Sequence, residues 1–385
     1  MRRSRRRSRV CRRCRRNTKT PGGVCIMKSS AMRSRLRIGI AGGGLLGRLC
    51  AWRLALRKHE VTLFDAGDFE RPGGACWTAA GMISPLSELV SAEPEVYRMG
   101  LRSLELWPQW IAELERQTGL SASYRHAGSL VVAHPLDKAE LAQFQSDLNA
   151  KLPAGETLQW LDRAGVAALE PGLAEHFEQG LYLPSEADVN SRLLLQALLA
   201  ALRQSEVRLV ANTMVECAAN RIHWNSGSER FDWVIDVRGL GASRKMTGLR
   251  GVRGEVVIIE TSEVSLNRPV RLMHPRYKLY AVPRLHGQII IGATEIESAD
   301  MSPISLQSTL ELSSALYALN PAFAEARVVE TSVNCRPALP DNLPRVTREP
   351  GLICANGLYR HGYLLGPVVV GQVLDHFLRE EKHAA

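Results

Sequence analysis

Apolar positions along the chain fall into helical, strand-like and glycine-punctuated stretches. Leu36 to Ala41 is a short apolar run of the length of a buried parallel strand, and it passes directly into Gly42-Gly43-Gly44-Leu45-Leu46-Gly47. Leu46, Leu49, Cys50, Leu54 and Leu56 mark a helix over Leu45 to Arg57, and His59 to Asp65 supplies a second strand, completing a βαβ unit. Helical periodicity returns over Pro94 to Thr118, Lys138 to Ala150, Asp162 to Leu169 and Ser191 to Arg203, the last with Asn190 or Ser191 as N-cap. Strands are expected at Gly128 to Ala133, Val207 to Val210, Arg221 to Trp224 and Trp233 to Val237, the last running into Gly239-Leu240-Gly241. From Gly254 to Ile291 the pattern changes to strands with turns, at Glu255 to Glu260, Lys278 to Val282 and Gln288 to Ile291. A helix over Leu306 to Leu319, a strand at Leu352 to Ala355, the glycine-marked segment Gly357 to Gly366 and a helix from Val368 to Arg379 close the chain.

These elements predict an α/β fold: a discontinuous Rossmann-type cofactor domain with an inserted α+β substrate domain containing an antiparallel sheet. The expected cofactor segments are 36–86, 160–250 and 334–380, and the expected substrate segments 87–159 and 251–333. A plain dehydrogenase would continue with further βαβ units immediately after the first. Here helices and antiparallel strands intervene.

Charge alters the picture only at the N-terminus. Residues 1–37 hold 15 of the 49 basic residues and no acid, so the remainder carries 34 basic against 39 acidic side chains, a net charge of −5. The overall +10 is therefore no argument for nucleic-acid binding by the body of the protein. Residues 1–35 read as a solvated basic tail or as sequence upstream of a start at Met27 or Met32. A transit peptide fits less well for want of an apolar face, and an apolar secretory core is lacking. Cys11 and Cys14 have metal-like spacing without a fourth ligand to join them and Cys25; Cys50, Cys76, Cys217, Cys335 and Cys354 sit in apolar surroundings, as in a reduced, cytoplasmic protein. No run approaches the roughly 20 apolar residues of a membrane span.

The candidate chemistry begins at the glycines. Gly42, Gly44 and Gly47 form GxGxxG between a strand and a helix, and Asp65 ends the next strand 23 positions after Gly42, where a ribose-binding carboxylate is required. This is a dinucleotide site. No second GxGxxG follows a strand, so a flavin paired with a separate nicotinamide site is unsupported, and electrons would enter from a substrate.

Five stretches together resemble the D-amino-acid oxidase superfamily, most closely the glycine oxidases of thiamine biosynthesis. They are the GGGLLG turn; Ala79-Ala80-Gly81-Met82; Leu279-Tyr-Ala-Val-Pro-Arg284 leading to Ile291-Gly-Ala-Thr294; Arg336-Pro337 with Pro340-Asp341; and Gly357-Leu-Tyr-Arg-His-Gly-Tyr-Leu-Leu365. The resemblance implies non-covalent FAD, with Leu45 and Leu46 at the pyrophosphate turn and Asp65 with Ala66 at the adenosine ribose. It places Ala80, Gly81 and Met82 along the flavin and the Val215 backbone at the adenine. It also implies that the backbone of Leu358, Tyr359, Arg360, His361, Gly362, Tyr363 and Leu364, at the start of the last helix, faces the flavin pyrimidine, where a helix N-terminus favours negative charge.

For the substrate, a small amino acid or amine, the resemblance implies that Arg336 pairs with a carboxylate, Tyr280 assists, and Arg360 lies nearby. The planar guanidinium suits bidentate recognition. The reaction implied is hydride transfer to flavin N5 giving an imine, with dioxygen or another acceptor reoxidising the flavin. The chain departs from the family's usual GHxRNG in having Gly357-Leu-Tyr-Arg-His-Gly362, and Arg253 stands where a lysine is usual; both changes are expected to flank the flavin. Cys335 lies near a position of covalent flavin attachment in some relatives, but is out of step and reads as a structural thiol. His361 as a general base is the less favoured reading. The residues leave open a dehydrogenase passing electrons to a quinone or carrier, a flavoprotein serving a protein partner, and a homo-oligomer.

Overall fold

The local signals read above assemble into two sheet systems. The computed structural model describes residues 35–153, 155–276 and 279–383, with side chains as far as Asp375. The basic N-terminal segment, with Cys11, Cys14, Cys25, Met27 and Met32, lies outside the described residues, as do the tyrosine and lysine at 277 and 278.

The first sheet has six strands in the order Arg345–Glu349, Leu352–Asn356, Trp233–Asp236, Arg37–Ala41, Glu60–Phe64 and Arg208–Val210. All pairings are parallel except the edge hairpin formed by the first two. Strands in such a sheet are covered on both faces. Helices Leu45–Leu56, Ser191–Gln204 and Gly362–His383 and the long helix Pro94–Thr118 share one core through Leu49, Trp52, Leu198, Trp107 and Val369. Across the sheet, Phe64 and Val234 pack on Val215, Cys217 and Ile222 of a three-stranded antiparallel layer. Asn190 caps its helix by accepting from the Arg192 and Leu193 amides, as expected.

Eight strands form the second sheet, in the order Arg327–Ala338, Arg250–Glu260, Gln288–Gly292, Leu279–Pro283, Val270–Met273, Ser129–Ala133, Gln179–Leu183 and Gln159–Asp162. It is antiparallel apart from the Val270–Met273 pairing with Ser129–Ala133. Helix Leu306–Leu319 covers one face through Leu312, Ala315, Leu316 and Leu319.

The expected domain boundaries need correction. Gln159–Asp162, which begins at the expected boundary, and Gln179–Leu183, assigned to the cofactor segment 160–250, complete the edge of the eight-stranded sheet. Pro94–Thr118, assigned to the substrate segment, buries Trp107, Trp110, Ile111 and Leu114 in the cofactor-side core. Arg327–Ala338 runs through the expected boundary at 334 as one strand.

The last helix starts at Gly362, six residues before the expected Val368, although Pro367 lies within it. Proline has no N–H to give the carbonyl four residues back. That carbonyl, of Tyr363, instead accepts from Trp107 Nε1 at 2.8 Å. The substitute donor lets the helix extend to the glycine-marked segment and aims its N-terminus at the space between the two sheets.

Candidate active site

Between the sheets lies a cleft of about 1210 Å³. That exceeds the ~300–1,000 Å³ typical of a site for one small ligand, and leaves room for a dinucleotide with a small substrate. Gly42, Gly44, Leu45, Leu46, Asp65, Ala80, Gly81, Met82 and residues Leu358 to Leu364 line it, together with Tyr280, Arg336, Glu88 and Arg271.

The nucleotide end follows from the glycine turn. Gly42 has φ +108°, and a Cβ there would lie 2.5 Å from the Val237 carbonyl oxygen. At Gly47 a Cβ would fall 1.8 Å from the Gly42 oxygen, so only glycine lets the helix sit this close to the strand. Gly44 is different: its only neighbour within 4 Å would be Cys76 Sγ, at 3.6 Å, which leaves the backbone open to the cleft. Asp65 accepts from the Gly43 amide at 2.6 Å and the Gly67 amide at 2.8 Å, fixing turn and carboxylate together. Arg48, buried beneath the turn, donates to the carbonyls of Gly43 (2.7 Å), Leu195 (2.8 Å) and Phe69 (2.6 Å). Sequence reading missed this residue, although an arginine inside an otherwise apolar helix face is a visible signal.

The second helix N-terminus is equally open. A Cβ on Gly362 would meet nothing within 4 Å, and the first-turn amides of a helix have no intrahelical acceptor. These two amide-rich turns and Asp65 fit the phosphate, flavin and ribose of FAD. Ala80 to Met82, between them, is held from behind: Arg284 donates to the Ala80 carbonyl and approaches Asp188 at 3.5 Å, while Arg125 grips Asp188 with two bonds. Burial brings the Arg284 guanidinium down to about 10 despite Asp188.

Substrate-side chemistry comes from the eight-stranded sheet. Arg336 donates to the Thr294 carbonyl at 3.1 Å and the Arg253 carbonyl at 3.4 Å, and among the described residues no carboxylate lies within ion-pair distance of it. Its guanidinium lies over Gly254, where a Cβ would come within 2.5 Å of Nη2. Tyr280 sits three strands away, its hydroxyl against Gly292. Burial raises the Tyr280 hydroxyl above its ordinary value, outweighing the lowering by Arg336, Arg271 and Arg284, so it is a donor at neutral pH.

Arg360 is committed elsewhere. It donates to Glu88 through Nε (3.0 Å) and Nη2 (2.7 Å), and to Glu295 through Nη1 (2.9 Å). His361 Nε2 meets the same Glu88 oxygen at 3.0 Å, and its Nδ1 is buried with no hydrogen-bond partner among the described residues. Burial would raise Glu88, but His361, Arg360 and Arg271 hold its carboxyl well below the usual range.

Two expectations change. Gly47, Ala66 and Val215 do not line the cleft; Gly47 is a packing residue, and the Val215 carbonyl accepts from Arg238. Arg253 does not flank the cofactor, because strand alternation turns Gly254 and Val256 into the cleft and Arg253 with Glu255 away from it. Arg253 instead pairs with buried Glu255 at 2.6 Å and donates to the Asp300 and Pro303 carbonyls. Cys335 stays as read: it is 3% exposed, points at the Ser298 and Asp300 carbonyls, and burial raises its thiol, as for a structural cysteine. Glu88 and Arg271 went unnoticed in the sequence.

Comparison with known proteins agrees with this geometry. The family model described as DAO, FAD dependent oxidoreductase, matches residues 37–375. The chain is 40% identical over 350 residues to the Rhizobium etli protein named as a thiamine biosynthesis oxidoreductase, ThiO, covering 90% of this chain and 98% of that one. It is 28% identical over 364 residues to the glycine oxidase of Geobacillus kaustophilus, covering 91% and 95% of the two chains. The crystal structure of that glycine oxidase superposes with a TM-score of 0.77 at 27% identity, over 89% of this chain and 94% of that one.

Proposed function

Since the chain belongs to the DAO family of FAD-dependent oxidoreductases, we propose that its substrate is a small amino acid with one carboxylate, glycine or a close relative. The observation that carries this reading is Arg336: a guanidinium lining the cleft beside Tyr280, with carbonyl contacts only on Nη1. A planar fork with free N–H groups in a closed site selects a carboxylate.

In this reading Arg336 takes the carboxylate and the protonated Tyr280 hydroxyl adds a hydrogen bond. The two fix the α-carbon by orientation, which can supply much of the rate enhancement. FAD, when bound, supplies the two-electron acceptor for the hydride leaving that carbon. The amine gives up a proton, and the resulting imine is hydrolysed or passed on. Ala80 to Met82, pinned by Arg284, keep one wall of the cleft rigid. Dioxygen or another acceptor removes the electrons.

The test is anaerobic titration of the yellow holoenzyme with glycine, N-methylglycine, D-alanine and a carboxylate-free amine. Bleaching by one or more of the amino acids and not by the plain amine is expected. Equal bleaching by the plain amine, or none by any amino acid, would overturn the reading.

A further inference from the structure

Around Tyr280 the cleft lining carries the guanidinium groups of Arg271, Arg336 and Arg360 and the carboxylates of Glu88 and Glu295, with Arg276, Glu140 and Glu311 also on the lining. Which of these cations is free for a ligand is decided largely by Glu88. One Glu88 oxygen accepts from Arg271 at 3.3 Å; the other accepts from Arg360 at 2.7 Å and meets His361 at 3.0 Å. Arg271 stands opposite Tyr280 in the strand register, and both Arg271 and Arg336 act on the Tyr280 hydroxyl. The Arg271 Nε is buried with no hydrogen-bond partner among the described residues.

The carboxylate itself is built in. Glu88 lies on the short helix Pro85–Leu89, whose Ser87 amide and hydroxyl donate to the fully buried Glu186 at 2.7 and 3.0 Å. That anchor sets the direction of the neighbouring Glu88 side chain.

We propose that Glu88 determines the charge of the accepted substrate: by occupying Arg271 and Arg360 it withholds both from a second anionic group beside the carboxylate held by Arg336, so amines with a second anionic group are refused. This rests on the reading of Arg336 as carboxylate anchor. A second carboxylate approaching Arg271 or Arg360 in the wild-type site meets Glu88 already bound to them, and like charges at close range in a cleft repel strongly. With Glu88 neutral, Arg271 and Arg360 become its receptors.

The experiment compares acetate with malonate as non-oxidisable ligands, read by perturbation of the flavin spectrum, and glycine with aminomalonate as reductants. The proteins are wild type, Glu88→Gln, and Glu88→Gln combined with Arg271→Gln. Wild type should bind acetate at least tenfold more tightly than malonate. Glu88→Gln should shift that ratio at least tenfold toward malonate, and the added Arg271→Gln should reverse part of the gain. The wild-type ratio stands even if a variant fails to retain FAD. Wild type binding both ligands equally while glycine still bleaches the flavin would overturn the role of Glu88 and leave the amino-acid reading intact. So would a Glu88→Gln ratio unchanged at full flavin content. If no amino acid reduces the wild type, both fall together.

Discussion

Replacing Arg336 by lysine keeps a positive charge and removes the fork. In the structure the guanidinium spends Nη1 on two carbonyls, leaving Nη2 and Nε for a carboxylate. An ammonium on a shorter, flexible stem gives at most one of those two bonds in the same place. A hydrogen bond to a charged group contributes about 1.5–3 kcal/mol. At ~1.4 kcal/mol per tenfold, Arg336→Lys should therefore lower kcat/KM for glycine by roughly ten- to more than a hundredfold. The assay is anaerobic rapid mixing over a range of glycine concentrations, with flavin content measured on the same sample. FAD retention should be unchanged, because Arg336 lies at the substrate end and makes no contact with the glycine turn. Any slow reduction by a carboxylate-free amine should be unchanged too. A variant that reduces with wild-type kcat/KM would refute the anchor; loss of flavin instead of substrate affinity would show that Arg336 serves the cofactor.

Other consequences follow from individual groups. Asp65→Asn removes a charge that accepts from two backbone amides, so FAD affinity should fall at least tenfold in dialysis against apoprotein; undiminished affinity would contradict its place at the nucleotide. Burial pulls the Glu88 carboxyl up, yet His361, Arg360 and Arg271 hold it well below its ordinary 4.5, so its stabilising contribution is full above that value and is lost as pH falls through the depressed folded-state value. The Tm difference between wild type and Glu88→Gln should thus be flat from pH 7 to about 5 and shrink in more acid solution; a difference growing on acidification would contradict the assignment. Burial pushes the Cys50 thiol up to about 12, so it should resist iodoacetamide at pH 8 in the folded protein and react after denaturation. Rapid labelling of Cys50 in the native state would show that the helix packing is wrong.

What could be read from the sequence was local or carried by a family resemblance. The turn at Gly42 to Gly47 and the acid at Asp65 announce themselves because one βαβ unit places them within a few residues of the ligand. Arg336 and Tyr280 drew attention only through the motifs around them, and the structure brings both to one cleft. Glu88 carries no motif: its meaning comes from Arg360, 272 positions later, and Arg271, 183 positions later. Arg253 was misread because it was expected to flank the flavin without applying the alternation of a strand, which turns the adjacent Gly254 into the cleft and Arg253 away from it. The domain boundaries failed for a similar reason. The apolar face of Pro94–Thr118 is plain in the sequence, but nothing local says that it packs on the last helix rather than on the neighbouring strands.

The central claim is that this flavoenzyme removes a hydride from the α-carbon of a small amino acid held by its carboxylate. Its most direct test is a single anaerobic turnover of the holoenzyme with glycine and with glycine deuterated at the α-carbon, following the flavin absorbance. The account predicts complete bleaching in both cases, slower with the deuterated substrate. Bleaching at identical rates under conditions where reduction itself limits the signal, or no bleaching by glycine or any small amino acid, would contradict it.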